Sequence, residues 1–429
     1  MAGHKYQAPR GTFDVLPDAA RARGWVERTA ATIFARAGFE PIATPVFEDT
    51  ELFERGVGHS TDIVRKEMFS FEDKGGRGLT LRPEGTAPIC RAYVEHGMHK
   101  LAQPVKLSYI GPFFRHERPQ AGRYRQFHQL GVEAIGTDSP GVDAEAIGLQ
   151  AELLAELEVP GVELRLGSLG SLGTRQAYLD ELKAHLHSHE GDLSSDVRER
   201  IDANPLRAFD SDDEGTQAVM AAAPKLIERL AGEDAEHFTE VRALLDAAGV
   251  EYTIDPTLVR GLDYYTRTIF SFVCDRLGAQ SEIGGGGRYD GLVEQLGGPA
   301  TPAIGWAAGI ERILLALGMM NVTTVGRDLS VVYAIGGRDV FISYDADVGD
   351  QLARALSLAR ELRHAGHSAE FDLAGRGLKG QLKHANRIGA RWVLILEGEG
   401  AAQLRDMESG EQRPVDTANL IDEIAGGKR

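Results

Sequence analysis

The segment Gly111–Glu133, GPFFRHERPQAGRYRQFHQLGVE, constrains the fold more than any other part of the chain. Strand-like runs at Val105–Ile110 and Gly131–Gly136 flank it, while Pro119 and Gly122 interrupt it in the middle. That pattern predicts a β-hairpin, and hairpins build antiparallel sheets. Arg115, Arg118, Arg123 and Arg125 fall within eleven residues, opposed by one acid, Glu117. Cations crowded so closely repel one another unless anionic partners meet them. Arginine's planar fork suits bidentate contact with phosphate, and Phe127 offers a ring face for a purine.

The neighbouring pattern agrees with an antiparallel sheet. Val26, Ala30, Ile33, Phe34 and Ala37 recur at helical spacing and predict a helix from Asp18 to Gly38. Phe39–Phe47 reads as a strand that Pro41 and Pro45 confine to the edge or end of a sheet. Met68–Phe71 and Leu79–Arg82, parted by a charged, glycine-bearing gap, predict a second hairpin, with a helix from Thr86 to His96 after it. Strands outnumber helices here without a regular βαβ rhythm, which argues against a doubly wound sheet. From about 170 to 250, alanine, leucine and acids dominate, with an acidic cluster at Asp210–Glu214, and a mostly helical insertion is expected. Strand patterns return at Tyr264–Cys274, and Ile310–Leu317 predicts an amphipathic helix. A break near Asn321–Arg327 follows. Beyond it Val340–Ser343, Gln351–Ala365, Ser368–Leu373, a basic stretch and Trp392–Leu396 alternate as β, α, β, α, β, a compact α/β domain.

Composition bounds the partners. The 429 residues carry a net charge of −17, with 42% hydrophobic and 26% charged, the profile of a folded water-soluble protein. No apolar run approaches the roughly 20 residues a membrane span needs, and Met1–Arg10 lacks the apolar core of a signal peptide. Cys90 and Cys274 are too few for a disulfide framework or a cysteine zinc site, so a reducing, cytoplasmic setting is expected. An acidic chain repels polyanions, but two stretches break the trend. One is the arginine hairpin. The other, residues 375–391, holds Arg376, Lys379, Lys383, His384, Arg387 and Arg391 with no acid.

The familiar nucleotide and hydrolase signatures are missing: no GxxxxGK[ST], HExxH or GxSxG occurs, and no GxGxxG joins a strand to a helix. Gly284–Gly287 reads as a tight turn or a close backbone approach. His116 and His128 fit hydrogen-bonding roles better than metal ligation. Arg260–Thr266, RGLDYYT, is equally a surface turn entering an aromatic strand or a functional loop. Gly305–Arg312, GWAAGIER, is a small-residue strand running into a helix, and by itself signals packing.

Together these segments resemble the class II aminoacyl-tRNA synthetases. The hairpin resembles their motif 2, Gly305–Arg312 their motif 3, and Pro45 the motif 1 proline at a dimer interface. Within that class LTLRPEGTA (79–87), GRYRQFHQLGVE (122–133) and LVRGLDYYTRT (258–268) resemble the histidyl-tRNA synthetase family. GTFDVLP (11–17), NPLRAFDS (204–211) and GGRYDGLVEQLGG (286–298) extend the resemblance over nearly the whole chain. Trp306 and Ile310 stand where phenylalanine and leucine are more usual, both apolar exchanges.

The resemblance implies an α+β multidomain fold: a class II antiparallel-sheet catalytic core in two parts, 1–169 and 254–325, a helical insertion at 170–253, and an anticodon-binding α/β domain at 326–429. It implies a histidine–tRNA ligase that uses ATP with Mg²⁺, takes tRNA(His) as partner and forms a homodimer. Arg115 and Arg260 would carry the catalytic charge stabilisation. Glu84, Gly85, Thr86, Gln129, Glu133, Tyr264 and Tyr265, with both arginines, would hold histidine. Glu117, Arg123, Phe127, Gln129 and Arg312, with Arg115, would hold ATP, and Arg376, Lys379, Lys383 and Arg387 would meet tRNA along one basic helix stripe. No metal ligand is assigned. The alternative is a catalytically inactive paralogue that regulates ATP phosphoribosyltransferase. Such paralogues erode the motif arginines and lack the anticodon domain, and this chain has both.

Overall fold

The computed structural model describes residues 6–58, 61–120, 122–278, 281–320, 338–345, 347–398 and 401–425. The chain forms two compact units, Met1–Thr324 and Val325–Arg429, and the break read at Asn321–Arg327 lies outside the described residues.

In the first unit, helix α1 (Pro17–Arg36) buries the stripe Ala22, Val26, Ala30, Ile33 and Phe34. The stretch read as one strand, Phe39–Phe47, divides into β1 (Glu40–Pro41) and the start of β2 (Phe47–Asp49). Proline donates no ladder hydrogen bond, so β1 stays at the edge of one sheet while β2 joins another. Helix α2 (Thr50–Val57) leads to β3 (Phe69–Glu72) and β4 (Gly78–Leu81), the expected second hairpin, which with β2 makes a three-stranded sheet. Helix α3 (Thr86–Glu95) follows. Strands β5 (Val105–Phe114) and β6 (Gln126–Ile135) form the arginine hairpin, in unbroken antiparallel register from Val105–Ile135 to Phe114–Gln126.

After α4 (Pro140–Glu156) and β7 (Val162–Ser168) come four helices, α5 (Leu172–His187), α6 (Ser195–Arg198), α7 (Glu214–Ala222) and α8 (Glu233–Ala247), before the short β8 (Thr253–Ile254). Tyr178, Leu182 and Leu186 of α5 share one hydrophobic core with Tyr264, Tyr265 and Tyr289. The unit closes with β9 (Thr266–Cys274), β10 (Glu282–Arg288), α9 (Leu292–Gln295), β11 (Ala303–Gly309) and α10 (Ile310–Ala316). Its main sheet runs β1-β5-β6-β11-β10-β9-β7-β8. The interior pairs are antiparallel, as the missing βαβ rhythm suggested, and only the edge pairs β1–β5 and β7–β8 are parallel. Gly284–Gly287 is no turn: it is the middle of β10. Close backbone approach explains it, since a Cβ on Gly284 would lie 2.6 Å from Ala307 O and one on Gly287 2.6 Å from Thr268 O.

The second unit follows the expected alternation through β12 (Arg338–Ser343), α11 (Gln351–His364), β13 (Ala369–Phe371), α12 (Leu378–Arg387) and β14 (Ala390–Leu396). It then adds β15 (Ala402–Asp406), β16 (Gln412–Val415) and α13 (Leu420–Ala425). The sheet order is β13-β12-β14-β15-β16, parallel at first and antiparallel from β14 onward. The basic stripe is shorter than expected. Helix α12 starts only at Leu378, after Gly375 and Gly377, and Gly389 at φ +69° follows its end. Arg376 therefore precedes the helix and pairs with Asp372 at 2.6 Å, while Arg391 lies in β14 over the Trp392 ring at 5.5 Å. Lys379, Lys383 and Arg387 remain on α12, all exposed.

Candidate active site

Glycine and alanine shape the middle of the main sheet. Gln129, Gly131 and Glu133 of β6 stand opposite Gly309, Ala307 and Gly305 of β11, and Ala307 and Gly305 stand opposite Gly285 and Gly287 of β10. Partners in register share a face, so one face of these strands is a trough of small residues with Glu133 at one end. A Cβ on Gly305 would overlap Glu133 Oε2, and one on Gly285 would lie 3.0 Å from Arg260 Nη1. The carboxylate and the guanidinium thus occupy the same face.

Around Glu133 the pocket is a buried polar cup. Its Oε1 accepts from Thr86 Oγ1 at 2.8 Å and its Oε2 from Tyr289 Oη at 2.5 Å. Burial pushes the Glu133 carboxyl up to about 8, against the pull of those two hydroxyl donors, and the neighbouring Glu84 adds to the rise. Glu84 accepts the first backbone N–H groups of α3, from Thr86 at 2.7 Å and Ala87 at 3.0 Å, and burial raises its pKa as well. Tyr264 Oη reaches Glu84 Oε2 at 3.5 Å. Gly85 leaves space for the Tyr109 ring, whose Cζ would sit 2.8 Å from a Cβ there. Gln129 Oε1 is buried with no hydrogen-bond donor among the described residues.

The arginines converge from three segments. Arg115, just beyond β5, donates from Nε to Pro83 O at 2.8 Å and lies 5.4 Å above the Phe127 ring. Glu117 pairs with Arg123 at 3.0 Å and stands 4.0 Å from Arg115. Arg312 of α10 donates to Gly122 O at 3.1 Å, and its Nε to Glu282 O, fastening the hairpin loop to β10. Arg260 pairs with Glu282 at 2.6 Å and lies 5.9 Å over the Tyr265 ring. Burial opposes its charge, but Glu282 and Tyr265 together outweigh burial and its pKa is raised. The other hairpin arginines stay outside the cluster. Arg118 is exposed, and Arg125 holds the N-terminal segment through its backbone N–H to Gly11 O at 2.7 Å.

The remaining expectations resolve individually. His128 shares a hydrogen bond with Glu311 at 2.9 Å, whereas His116 sets its ring edge-on to Phe69. Trp306 is buried against Phe34, which accommodates the larger ring. Arg376, Lys379, Lys383 and Arg387 belong to the second unit. A groove lined by Ala144, Gly148, Leu244 and Ala248 contains none of the site residues. Sequence reasoning did not single out Tyr289, Tyr109 or Glu282. The GGRYDG segment carries Tyr289, and an acid beside the glycine run was the signal for Glu282.

A cup of buried hydrogen-bonding groups beside a cluster of cations, on the small-residue face of an antiparallel sheet, suits a polar amino acid lying next to a polyphosphate. The fold is that of a class II aminoacyl-tRNA synthetase core. A family model described as histidyl-tRNA synthetase matches residues 11–313, and one described as an anticodon-binding domain matches residues 335–426. The chain belongs to the histidyl-tRNA synthetase family. It is 45% identical over 423 residues to the histidine–tRNA ligase of Halothermothrix orenii, covering 97% of this chain and 98% of the relative. It is 47% identical to the Anaeromyxobacter dehalogenans ligase over 98% of this chain and all of that one. Among solved structures, apo S. aureus histidyl-tRNA synthetase superposes with a TM-score of 0.80 at 34% identity, covering 98% of this chain and 100% of that one. A Bacillus halodurans chain described as an ATP phosphoribosyltransferase regulatory subunit/histidyl-tRNA synthetase shares the fold, with a TM-score of 0.65 at 24% identity over 92% of this chain and 100% of its own.

Proposed function

We propose that this chain is a working histidine–tRNA ligase, which activates L-histidine with ATP and then transfers it to the 3′ end of tRNA(His). The observation that carries this reading is one sheet face holding both the Glu84–Glu133 cup and the Arg115–Arg260 pair. In the first step a histidine carboxylate oxygen attacks the α-phosphorus of ATP. A C(O)–O–P link forms, the bond to the bridging oxygen breaks, and pyrophosphate leaves with that electron pair. The attacking carboxylate is already ionised at neutral pH, so no general base is required. Catalysis reduces to alignment and to cationic stabilisation of the crowded phosphorus.

Arg115 meets the α-phosphate from the hairpin side and Arg260 meets the carboxylate and α-phosphate from the opposite side. Phe127, already under Arg115, stacks on adenine, with Glu117 at its polar edge. Arg123 and Arg312 engage the outer phosphates. Mg²⁺ arrives with ATP as part of the substrate, neutralising the polyphosphate. In the second step a hydroxyl of the tRNA's terminal ribose attacks the acyl carbon and AMP leaves.

Glu84, Thr86 and Gln129, with the Gly85 turn, surround the α-amino group, and the free Gln129 carbonyl oxygen accepts from it. Glu133 and Tyr264 pair the two imidazole nitrogens, and Tyr265 closes the pocket. A carboxyl that keeps its proton up to about pH 8 offers a donor to a neutral imidazole nitrogen. A rival side chain leaves these buried groups unmatched, which is worth about 10⁴–10⁵-fold in discrimination.

Lys379, Lys383 and Arg387 on α12 supply a cationic face for the anticodon arm, with Arg376 beside the helix start. Pro45 stands beside exposed Val46, Phe47 and Phe71, an apolar patch fitting a homodimer contact. Among the described residues no helix is long and apolar enough to cross a membrane, and the reading places the enzyme in the cytoplasm. The regulatory paralogue is less supported, because Arg115, Arg260 and Arg312 are all in place and the anticodon-binding domain is present. Aminoacylation of tRNA(His) by the purified chain tests the choice. Histidyl-tRNA formed with AMP and pyrophosphate in equal amounts supports the ligase, and histidine binding without AMP release contradicts it.

A further inference from the structure

The loop that carries Tyr264 and Tyr265 has little support from the sheet, because β9 begins only at Thr266. Asp263 N–H donates to Val57 O at 3.3 Å, and further support comes from helix α5. Arg175 donates from Nη1 to Tyr265 O at 3.0 Å and to Asp263 O at 3.3 Å, the two carbonyls that bracket Tyr264. Burial lowers the Arg175 pKa, and nearby Asp263 partly offsets this.

Two residues past the tyrosines a second clamp joins the same elements. Arg267 lies at φ +44°, a left-handed conformation that a side chain of this size rarely adopts without enforcement. Its backbone N–H donates to Gly170 O and its carbonyl accepts from Leu169 N, each at 2.7 Å. Its side chain donates to the buried Asp234 at 3.2 Å, and Asp234 also takes Ser171 N–H and the Thr174 hydroxyl at 2.9 and 2.6 Å. The starts of α5 and α8 are thus tied to the point where the tyrosine loop enters the sheet. The shared core of Tyr178, Leu182, Tyr264 and Tyr265 makes the connection apolar as well as polar.

We propose that Arg175, seconded by the Arg267–Asp234 pair, is a positioning residue through which the helical segment 170–253 sets the histidine-binding loop. Histidine affinity in the activation step then depends on this segment with no tRNA present. The inference rests on reading Tyr264 and Tyr265 as histidine contacts. Arg175 itself touches no substrate: it acts through the carbonyls on either side of Tyr264.

The test is ATP–pyrophosphate exchange by the full chain without tRNA, with rates normalised to active sites by titration. Arg175→Met, which keeps length and loses both donors, is expected to raise the histidine KM about tenfold or more. The ATP KM and the kcat at saturating histidine should stay within about threefold. Arg175→Lys should recover part of the loss. Arg229→Met, which breaks the exposed pair with Glu181 elsewhere in the segment, should match the wild type. An unchanged histidine KM in Arg175→Met, or a parallel rise in both KM values, would overturn the proposal. If Arg175→Met does not fold, Arg267→Gly serves in its place. Glycine tolerates the left-handed backbone, and loss of the side-chain clamp should again raise the histidine KM selectively. Tyr264→Phe separates the two levels. A raised histidine KM there with none in Arg175→Met sinks the positioning role alone, and no rise in Tyr264→Phe removes the underlying reading with it.

Discussion

Glu133 is wholly out of water, between the hydroxyls of Thr86 and Tyr289, and this burial has a consequence for stability. A carboxyl raised from 4.5 to about 8 holds a proton in the folded state that the unfolded chain gives up at lower pH. Its contribution is most favourable below about pH 4.5 and is lost as pH rises toward 8. Glu133→Gln, which removes the ionisation, is therefore expected to gain stability over the wild type from about pH 5 to pH 9, by up to about 5 kcal/mol. Thermal or urea unfolding across that range checks it. The same variant should weaken histidine activation, because its donor-only amide nitrogen replaces one of the two oxygens that accept from Thr86 and Tyr289 and so reorganises the cup. Arg260 makes a second prediction at this scale: Arg260→Lys keeps the charge but loses the planar fork, and kcat for activation should fall by about 10²-fold or more, measured by pyrophosphate exchange. The arginines were legible because cations packed into a hairpin demand an explanation. Tyr289 was not, since its hydroxyl meets a carboxylate 156 residues earlier in the chain.

At the level of elements, the trough depends on glycines in places where strands normally carry side chains. A Cβ on Gly305 would overlap the Glu133 carboxylate, so Gly305→Ala should raise the histidine KM by about tenfold or more while the ATP KM moves little. A Cβ on Gly286 would overlap Gly305 O and stand 2.6 Å from Trp306 Cα. Gly286→Val should therefore part β10 from β11 and cost more than about 3 kcal/mol, visible as a fall in Tm. The contrast between the two variants separates a glycine that clears space for a functional group from one that lets strands approach. Periodicity located α1, because its buried stripe recurs at helical spacing. It missed β15 and β16, short strands defined by their pairing, β15 with β14 and β16 with β15. It also overextended the basic helix, because step spacing alone cannot show that Gly375 and Gly377 delay the helix start to Leu378.

Over the whole molecule, a net charge of −17 coexists with cationic residues gathered in the β5–β6 hairpin and along α12. If α12 holds the anticodon arm, reversing Lys379, Lys383 and Arg387 to glutamate should raise the tRNA KM by about tenfold or more and flatten its salt dependence. Pyrophosphate exchange should be unaffected, since none of the three belongs to the activation site. The most direct test of the central claim is ATP–pyrophosphate exchange with each of the twenty amino acids in turn, without tRNA. The Glu84–Glu133 cup beside Arg115 and Arg260 predicts exchange with histidine alone. Exchange with another amino acid at a comparable rate, or histidine binding with no exchange at all, would contradict it.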